Sequence, residues 1–384
     1  MNHLFPPKKP LPFRVFGQLR ISFKWPNTLK LVLLSLSYLI INYSCLDQID
    51  IDIPSGQSNA LTIQAKLIYG TPSVFQLEIR RLFTFNIDNV RGINAEQVVL
   101  KNSQGQSIEI TQTGIGLYSD ILNPDDPNFL INFDNTYAIE VKLGDGEVYT
   151  STLEPLIPVP RIDSVSFEKI TVRPANPVDE TDDSLVDVVA FSASTPLNIP
   201  ETNDPSRLRW VIERTFKFTE FPVPGQQRKT CYITNPMGIY EPVLYDATIL
   251  DLDYLEKIPL VRDLADFPFV EGYYSTIYQE SLSEGAFTYF SQIEASITRQ
   301  GDMFEAPAGG LFSNISNERD DKERVFGYFY VTQVDTIRQY VSPDFLMNFD
   351  TFCLRPFTTG VPDGCLDCLI ELGSTIEPPS WWIE

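Results

Sequence analysis

Cysteine offers this 384-residue chain its most distinctive chemistry, and Cys45 is the first of five. Six basic residues and no acidic residue lie ahead of it, followed by an apolar run from Leu31 to Ile41 and then by Ser44. The run is shorter than the roughly 20 residues that span a bilayer, and it fits a signal-peptide core of about 7–15 residues.

A lipoprotein signal peptidase needs a cysteine at this junction, because the thiol accepts the diacylglyceryl group before cleavage makes it the first residue. We therefore expect a signal peptide over residues 1–44 and an outer-membrane lipid anchor on Cys45. The alternatives are a cleaved secretory signal without lipid, or a short membrane anchor.

The other four cysteines are Cys231, Cys353, Cys365 and Cys368. An even number in an exported chain predicts two disulfides, and four cysteines allow three pairings. We favour Cys365–Cys368 and Cys231–Cys353. A four-cysteine zinc site is the alternative, although oxidation competes with metal binding outside the cytoplasm. A redox role is disfavoured, because Cys365 follows a Pro-Asp-Gly turn and not the helix start that lowers a thiol pKa.

Histidine occurs once, as His3 inside the predicted leader, so the exported part has none. This excludes Ser-His-Asp and Cys-His catalysis, histidine-ligated zinc and histidine general bases. A carboxylate pair supports glycoside hydrolysis without histidine, but no pair stands out among 51 acidic residues. The chain also lacks a phosphate-binding glycine loop and a Gly-x-Ser-x-Gly motif. The sequence therefore predicts a protein that is not an enzyme.

Acidic residues dominate the exported part. Without the six leader bases, 23 of the 29 basic residues remain against 51 acidic ones, a formal net charge of −28. Such a surface repels phosphate backbones, which excludes nucleic acid as a partner. Asp246, Asp251 and Asp253, with Glu256 beside them, are candidate calcium ligands. The alternative is a strand over residues 248–255 with solvated acids on its outer face. No cofactor other than the lipid is expected.

Trp381 and Trp382 lie almost at the end of the chain. Adjacent tryptophans can stack on a ligand or form the centre of an interface. Chain ends usually fray, and two free tryptophans would expose a large apolar surface. We therefore expect both rings to dock on the second domain, with the neighbouring cysteines holding the tail.

The composition predicts a mainly β fold of two tandem β-sandwich domains, since the 340 residues after the leader are rich in proline and aromatic residues. After a tether over residues 45–58, the first domain is expected over 59–158 and the second over 159–384. The proline-rich connector 154–160 between them should be extended. Residues 174–184 are acidic and contain proline, which predicts a mobile loop.

Apolar and polar residues alternate in the first domain, and two Gly-containing turns predict hairpins, as in an immunoglobulin or fibronectin-type sandwich. Strands are predicted there at 61–67, 75–85, 96–101, 107–110, 137–143 and 148–151. In the second domain they are predicted at 186–192, 208–215, 230–234, 271–279 and 325–331.

One amphipathic helix is predicted at about 282–300. Ser281 and Glu284 form a capping-box pattern at its start, and Gly301 would end it. One apolar face recurs at steps of three or four residues, which favours packing on the second sheet. The face consists of Phe287, Phe290, Ile293 and Ile297.

Several segments in series resemble one family over roughly residues 45–384. The segments are Tyr278–Phe290, Gly301–Pro307, Leu311–Asn317, Val325–Val331 and the tail Cys365–Thr375 that continues to Pro379-Ser-Trp-Trp. In this order, behind Cys45, they resemble the domain-of-unknown-function 4249 lipoproteins of Bacteroidota. The tail differs slightly: Gly373-Ser-Thr stands where the family usually has Gly-Gly-Thr, and two residues follow Trp382 where the family ends in Phe-Trp.

The resemblance implies an outer-membrane lipoprotein, often exposed at the cell surface, whose gene neighbours those of TonB-dependent transporters. It implies no activity and no catalytic residues. Asp47, Asp50 and Asp52 resemble the surface-export signal of such lipoproteins. We therefore expect a non-catalytic binding or accessory subunit of a TonB-dependent transporter. The alternatives are a structural adhesion or envelope-assembly lipoprotein and, last, a histidine-free glycan hydrolase.

Overall fold

The computed structural model describes most of the chain after residue 59, within one compact unit, Ser55–Glu384. The described residues are 60–81, 92–173, 185–221, 224–225, 227–238, 242–249, 252–297, 311–346, 353 and 361–383. The predicted leader, Cys45, the tether and the predicted loop at 174–184 lie outside these ranges. Within them, no helix combines the length and the apolar character that crossing a membrane requires.

A sheet of ten strands is the central element. Its strands are β1 (Leu61–Tyr69), β2 (Ser73–Arg81), β5 (Gln112–Gly114), β6 (Leu117–Leu122), β12 (Arg207–Thr219), β13 (Thr230–Met237), β14 (Val243–Asp246), β16 (Tyr273–Ser281), β18 (Phe329–Val341) and β19 (Ser374–Thr375). Their order is β19-β13-β12-β16-β18-β1-β2-β6-β5, with β14 on β12. All the pairs are antiparallel except β1 with β18, which is parallel.

Two smaller sheets pack on one side of this sheet. The first contains β3 (Ala95–Asn102), β4 (Ser107–Glu109), β7 (Thr136–Leu143), β8 (Val148–Ser151), β9 (Glu154–Pro155) and β17 (Ile315–Asn317). The second contains β10 (Ser164–Val172), β11 (Val186–Pro196) and β15 (Tyr254–Leu264).

The long strand β18 contributes to the cores of both sheet pairs. Phe329 and Val331 lie in the core shared with the six-stranded sheet, where Leu61 and Ile63 of β1 also point. Val341, twelve residues further on than Phe329, lies in a core on the three-stranded side with Phe191 of β11. The two sandwiches therefore share one large sheet, and both cores lie on the same side of it. We call this side the inner face and the opposite side the outer face.

The proline-rich connector is extended and lies against the inner face. The Ser281 hydroxyl donates to the Ile157 carbonyl at 2.5 Å, and the Gln279 amide donates to the Pro160 carbonyl at 2.6 Å. The Val159 N–H donates to Gln333 Oε1 at 2.9 Å. Side chains of β16 and β18 thus satisfy backbone groups that a proline-rich segment cannot pair by itself.

The prediction of a mainly β fold with one long helix is confirmed. Both predicted hairpins form, as the pairs β3–β4 and β7–β8. The immunoglobulin-type topology and the domain boundary at residue 158 stay predictions. Strands that precede and follow that boundary share the ten-stranded sheet.

Two strand predictions are wrong in position. The strand expected at 325–331 begins at Phe329 and continues to Val341, because Gly327 has a φ of 95° and approaches the Ile63 backbone closely. Of the strand expected at 248–255, residues 248–249 lie in a turn after β14, residues 250–251 lie outside the described ranges, and β15 begins only at Tyr254.

The predicted helix is observed as α1 (Glu284–Ile297). Its cap is Ser283 and not Ser281, since the Ser283 hydroxyl accepts from the Ala286 N–H at 3.1 Å. Ser281 is the last residue of β16. The buried face consists of Ala286, Tyr289 and Phe290, and it packs on Tyr328 and Tyr330 on the outer face. The helix does pack on a sheet, but of the predicted face only Phe290 is buried; Phe287 and Ile293 are partly buried, and Ile297 is 40 % exposed.

Candidate functional site

Helix α1 covers one part of the outer face and leaves a groove beside it. Tyr330 of β18 marks the boundary, because its ring meets Phe290 of α1 edge to face at 5.2 Å and its other side borders the groove. The groove has a volume of about 480 Å³. Its polar lining comes mainly from β1, β2, β5, β6 and β18, and it includes Gln64, Lys66, Gln76, Glu78, Thr113, Ser119 and Tyr330.

Strand register places these groups on one surface. Lys66 lies opposite Tyr330 on one neighbouring strand and opposite Gln76 on the other, and Gln76 lies opposite Ser119. Directly paired residues point to the same side of a sheet. These side chains therefore form one row on the outer face. Each of them belongs to the polar residues of a strand in which apolar and polar residues alternate.

A buried ion cluster lies at the α1 end of this row. Lys66 and Arg209 both form ion pairs with Glu280, with Arg209 Nη1 3.1 Å from Glu280 Oε2. Arg209 Nη1 also donates to the Tyr330 hydroxyl at 3.2 Å. The Glu280 side chain is only 1 % exposed. The Phe290 ring covers the Arg209 guanidinium at 3.9 Å, a cation–π contact that excludes water from this side.

Mutual attraction keeps the cluster charged despite its burial. Burial opposes the ionised form of Glu280, but Lys66 and Arg209 hold the pKa of its carboxyl below the usual value. Burial likewise opposes the charge on Lys66, yet its ion pair with the Glu280 carboxylate raises its pKa. Burial raises the pKa of Tyr330, which keeps the phenol neutral. The cluster therefore contains two cations and one carboxylate, a net charge of one positive unit.

A second buried carboxyl fixes α1 to the connector. Glu154 accepts from Ser283 Oγ at 2.5 Å, from the Tyr328 hydroxyl at 2.6 Å and from Asn314 Nδ2 at 3.3 Å. Burial raises the pKa of Glu154 although these three donors oppose the shift. Gly285 has no side chain that would occupy the position of the Tyr328 hydroxyl. This site is structural, because no groove residue touches it.

The predicted docking of the terminal tryptophans is observed. Trp382 contacts Tyr232 and Tyr274 edge to face, each at 5.0 Å, and Trp381 contacts Tyr274 at 5.2 Å. The Arg338 guanidinium lies 4.7 Å from the Trp381 ring. The tail therefore covers the end of the outer face that α1 leaves free. A role of Trp381 and Trp382 in ligand or partner binding stays a prediction.

All four described cysteines form disulfides, but the favoured pairing is wrong. The bonds are Cys231–Cys368 and Cys353–Cys365, with Cα–Cα distances of 6.1 and 5.4 Å. Cys365 lies in the short helix α2 (Asp363–Leu366), and Cys368 begins a 3-10 helix. Asp367 between them has an extended backbone, so the side chains of Cys365 and Cys368 reach different partners. The Cys368 N–H donates to Glu220 Oε1 at 3.0 Å, which holds it beside β13.

The disulfides hold a set of exposed aliphatic residues in place. We call this set the tail patch, and its members are Leu366, Leu369, Ile370, Leu372 and Ile376. Their exposure lies between 46 % for Leu369 and 89 % for Leu372. Cys365 and Cys368 within the same segment are fully buried and disulfide-bonded, so the segment is fastened to the body while the patch faces solvent.

The structure does not bring the candidate calcium ligands together. Asp246 of β14 pairs with Arg207 at 3.3 Å, whereas Asp253 accepts from Asn198 Nδ2 at 2.9 Å. Asp251 lies outside the described residues. Among the side chains that the structure describes, no group of three or more acidic, cysteine or histidine residues is arranged around a common point. The calcium prediction therefore has no geometric support from Asp246 and Asp253.

Sequence reasoning did not find the ion cluster. Lys66 is one of several polar residues in an alternating strand, and nothing in its spacing marks it as buried. Gln279, Glu280 and Ser281 did carry a signal, because three consecutive polar residues end an otherwise apolar strand. All three are buried, which is the rule for polar groups that have specific partners.

These features define a class: a mainly β double sandwich with, in the described part of the chain, one long helix, a disulfide-fastened tail and an open polar groove. The chain belongs to the family described as domain of unknown function (DUF4249), whose sequence model matches residues 47–338. No curated protein and no solved structure matches this chain.

Proposed function

We propose that this protein is an outer-membrane lipoprotein, anchored through Cys45 and exposed at the cell surface, that serves as a non-catalytic accessory subunit of a TonB-dependent transporter. The leader and the absence of histidine after it support this proposal. The observation that carries it is the tail patch, a disulfide-fastened apolar surface on an otherwise acidic body.

The composition of the tail patch favours a protein partner. Five aliphatic side chains within eleven residues form a concentration of apolar surface that a solitary soluble body does not need. Lys229 and Asp367 form an ion pair of 2.7 Å at its border, which gives the patch a polar rim. The disulfides remove conformational freedom before binding, so a partner loses less entropy when it docks.

Co-purification tests the proposal directly. The lipidated full-length protein is extracted in mild detergent from its own membrane, crosslinked gently, and the bound membrane proteins are identified. We expect a TonB-dependent transporter in amounts close to one per lipoprotein. A protein that runs alone after crosslinking would contradict the transporter association.

Charged substitutions in the tail patch locate the interface. The double variant Leu369→Asp with Leu372→Asp should lose transporter capture by at least about tenfold, since burying each charge costs more than 1 kcal/mol. Ile249→Asp is the matched control, because Ile249 is 77 % exposed on the turn after β14, at the opposite end of β12. Equal capture of the transporter by both variants would show that the interface does not include the tail patch.

A further inference from the structure

We propose that the groove beside α1 binds a ligand through a carboxylate group, which the Lys66 ammonium and the Tyr330 hydroxyl recognise. The inference deepens the proposed function, on which its biological meaning rests, because it names the chemical class that the accessory subunit would hold. Binding itself is a property of this chain and needs no transporter.

The ion cluster contains one cation more than it contains carboxylates. Lys66 and Arg209 face one buried carboxylate, Glu280, and no second acidic group of the described chain forms an ion pair with either cation. The Lys66 and Arg209 side chains are 23 % and 21 % exposed, so water solvates the surplus charge incompletely, and a ligand anion would supply the missing counterion. The rest of the exported chain has a formal excess of acids, so this local positive charge is specific to the site.

The ion cluster also has more hydrogen-bond donors than acceptors, which favours an anionic ligand. Arg209 Nε is buried and has no partner. The Tyr330 hydroxyl accepts from Arg209, and among the residues that the structure describes its own hydrogen has no acceptor. Lys66 uses one of three N–H donors on Glu280. Donors therefore outnumber acceptors, whereas buried polar groups in proteins are normally satisfied.

Access to the cluster runs through the groove. Lys66 and Tyr330 border it, while Phe290 covers Arg209; because Lys66 is 23 % exposed and Tyr330 only 4 %, a ligand meets the Lys66 ammonium first. Glu78 is the one acidic residue in the lining, and its carboxylate pairs with Arg80. Gln76 and Ser119 continue the row away from Lys66; the Gln76 amide offers donors and an acceptor to the rest of the ligand, while the Ser119 hydroxyl, which donates to the Phe75 carbonyl at 2.9 Å, can still accept.

The net charge of the ion cluster favours an anion that carries a single negative charge. A surplus of one positive unit matches a carboxylate, which carries one negative charge, better than a phosphate monoester with about −1.5 to −2. A groove of about 480 Å³ is of the size that holds a small ligand. The carboxylate could belong to the C-terminus of a short peptide or to an acidic sugar, and both present the same group to Lys66.

Calorimetric titration of the full-length protein in detergent distinguishes the two sources. The probes are N-acetyl-trialanine and its C-terminal amide, and a trimer of galacturonic acid and its methyl ester. We expect one acid to bind and its neutral counterpart to bind at least about tenfold more weakly. Binding of neither acid, or equal binding of an acid and its neutral form, would overturn the proposal.

Lys66→Met should abolish binding of the acid that binds the wild type. Lys101→Met is the matched control, since Lys101 pairs with Glu140 on the six-stranded sheet and lies outside the groove. A thermal melt shows that both variants are folded. If Lys66→Met bound the acid as tightly as Lys101→Met, the assignment would fall. The tail-patch variants should keep acid binding, so failed transporter capture and failed ligand binding are separate results.

Discussion

Ser283 caps the first turn of α1 and at the same time donates a hydrogen bond of 2.5 Å to Glu154 of β9. One hydroxyl thus ties the start of the helix to the connector between the two sheet pairs. Glu154 is 4 % exposed and has no cation among its bonded partners, which makes its ionisation sensitive to folding.

Glu154 predicts a defined pH dependence of stability. Burial raises its folded-state pKa above the usual 4.5, so the folded protein binds a proton that the unfolded chain has lost. The contribution of Glu154 to the free energy of unfolding is therefore largest below 4.5 and declines as pH rises through the folded-state pKa. Urea denaturation across this range should show that Glu154→Gln removes this decline.

Glu154→Ala provides the contrasting variant. It leaves the donors of Ser283, Tyr328 and Asn314 unsatisfied in a buried site, and should lower the free energy of unfolding by about 3 kcal/mol at neutral pH. An alanine variant as stable as the glutamine variant would show that the three donors find other partners.

The disulfides predict an order of stabilities. Cys231–Cys368 closes a loop of 137 residues and Cys353–Cys365 one of 12. Loop entropy grows with the logarithm of length, so the alanine pair at 231 and 368 should lose about 2 kcal/mol more than the pair at 353 and 365. All four thiols are fully buried, so the cavities are comparable. Denaturant unfolding measures both losses.

Peptide mapping without reduction is the control for connectivity. The expected fragments link Cys231 to Cys368 and Cys353 to Cys365. A linked fragment containing only Cys365 and Cys368, or free thiols at both, contradicts the structure.

The local sequence pattern predicts where strands and the helix form, but it does not predict which strands pair with each other. The alternation of residues 61–67 predicts β1 and its buried face, because period two is a property of the strand itself. The parallel neighbour β18 follows more than 250 residues later, and no local signal encodes that pairing. The same limit applies to Cys231, whose partner Cys368 follows 137 residues later.

The ion cluster at the groove forms only through pairing of strands that are far apart in the sequence. Lys66 and Glu280 are 214 residues apart and meet only because β18 lies between their strands. Trp381 and Trp382 were found from sequence because a terminal aromatic pair must be covered, whatever the fold. Burial of an apolar group is thus predictable from its type, while burial of an ion pair depends on topology.

The tryptophan tail should contribute to stability in proportion to its burial. Trp382 is half-buried against Tyr232 and Tyr274, so Trp382→Ala should lower the free energy of unfolding by about 2 kcal/mol, less than the 3–5 of a fully buried ring. Ile383→Ala is the control, since that side chain is 73 % exposed and only its carbonyl accepts from Tyr274. Equal losses for both variants would show that the ring contacts add nothing.

The ion cluster predicts an asymmetry between its members. Glu280→Gln leaves two partly exposed cations without a counterion and should cost about 2–3 kcal/mol, less than the 3–5 of a fully buried pair, whereas Lys66→Met leaves the balanced pair of Arg209 and Glu280 and should cost about 1 kcal/mol or less. The lowered pKa of Glu280 makes its contribution present above the unfolded-state value of 4.5, and it is lost as pH falls through the folded-state pKa. The difference between wild type and Glu280→Gln should therefore shrink in acid. Urea denaturation at neutral and acidic pH measures it, and a larger loss for Lys66→Met than for Glu280→Gln would mean that the cluster holds no surplus cation.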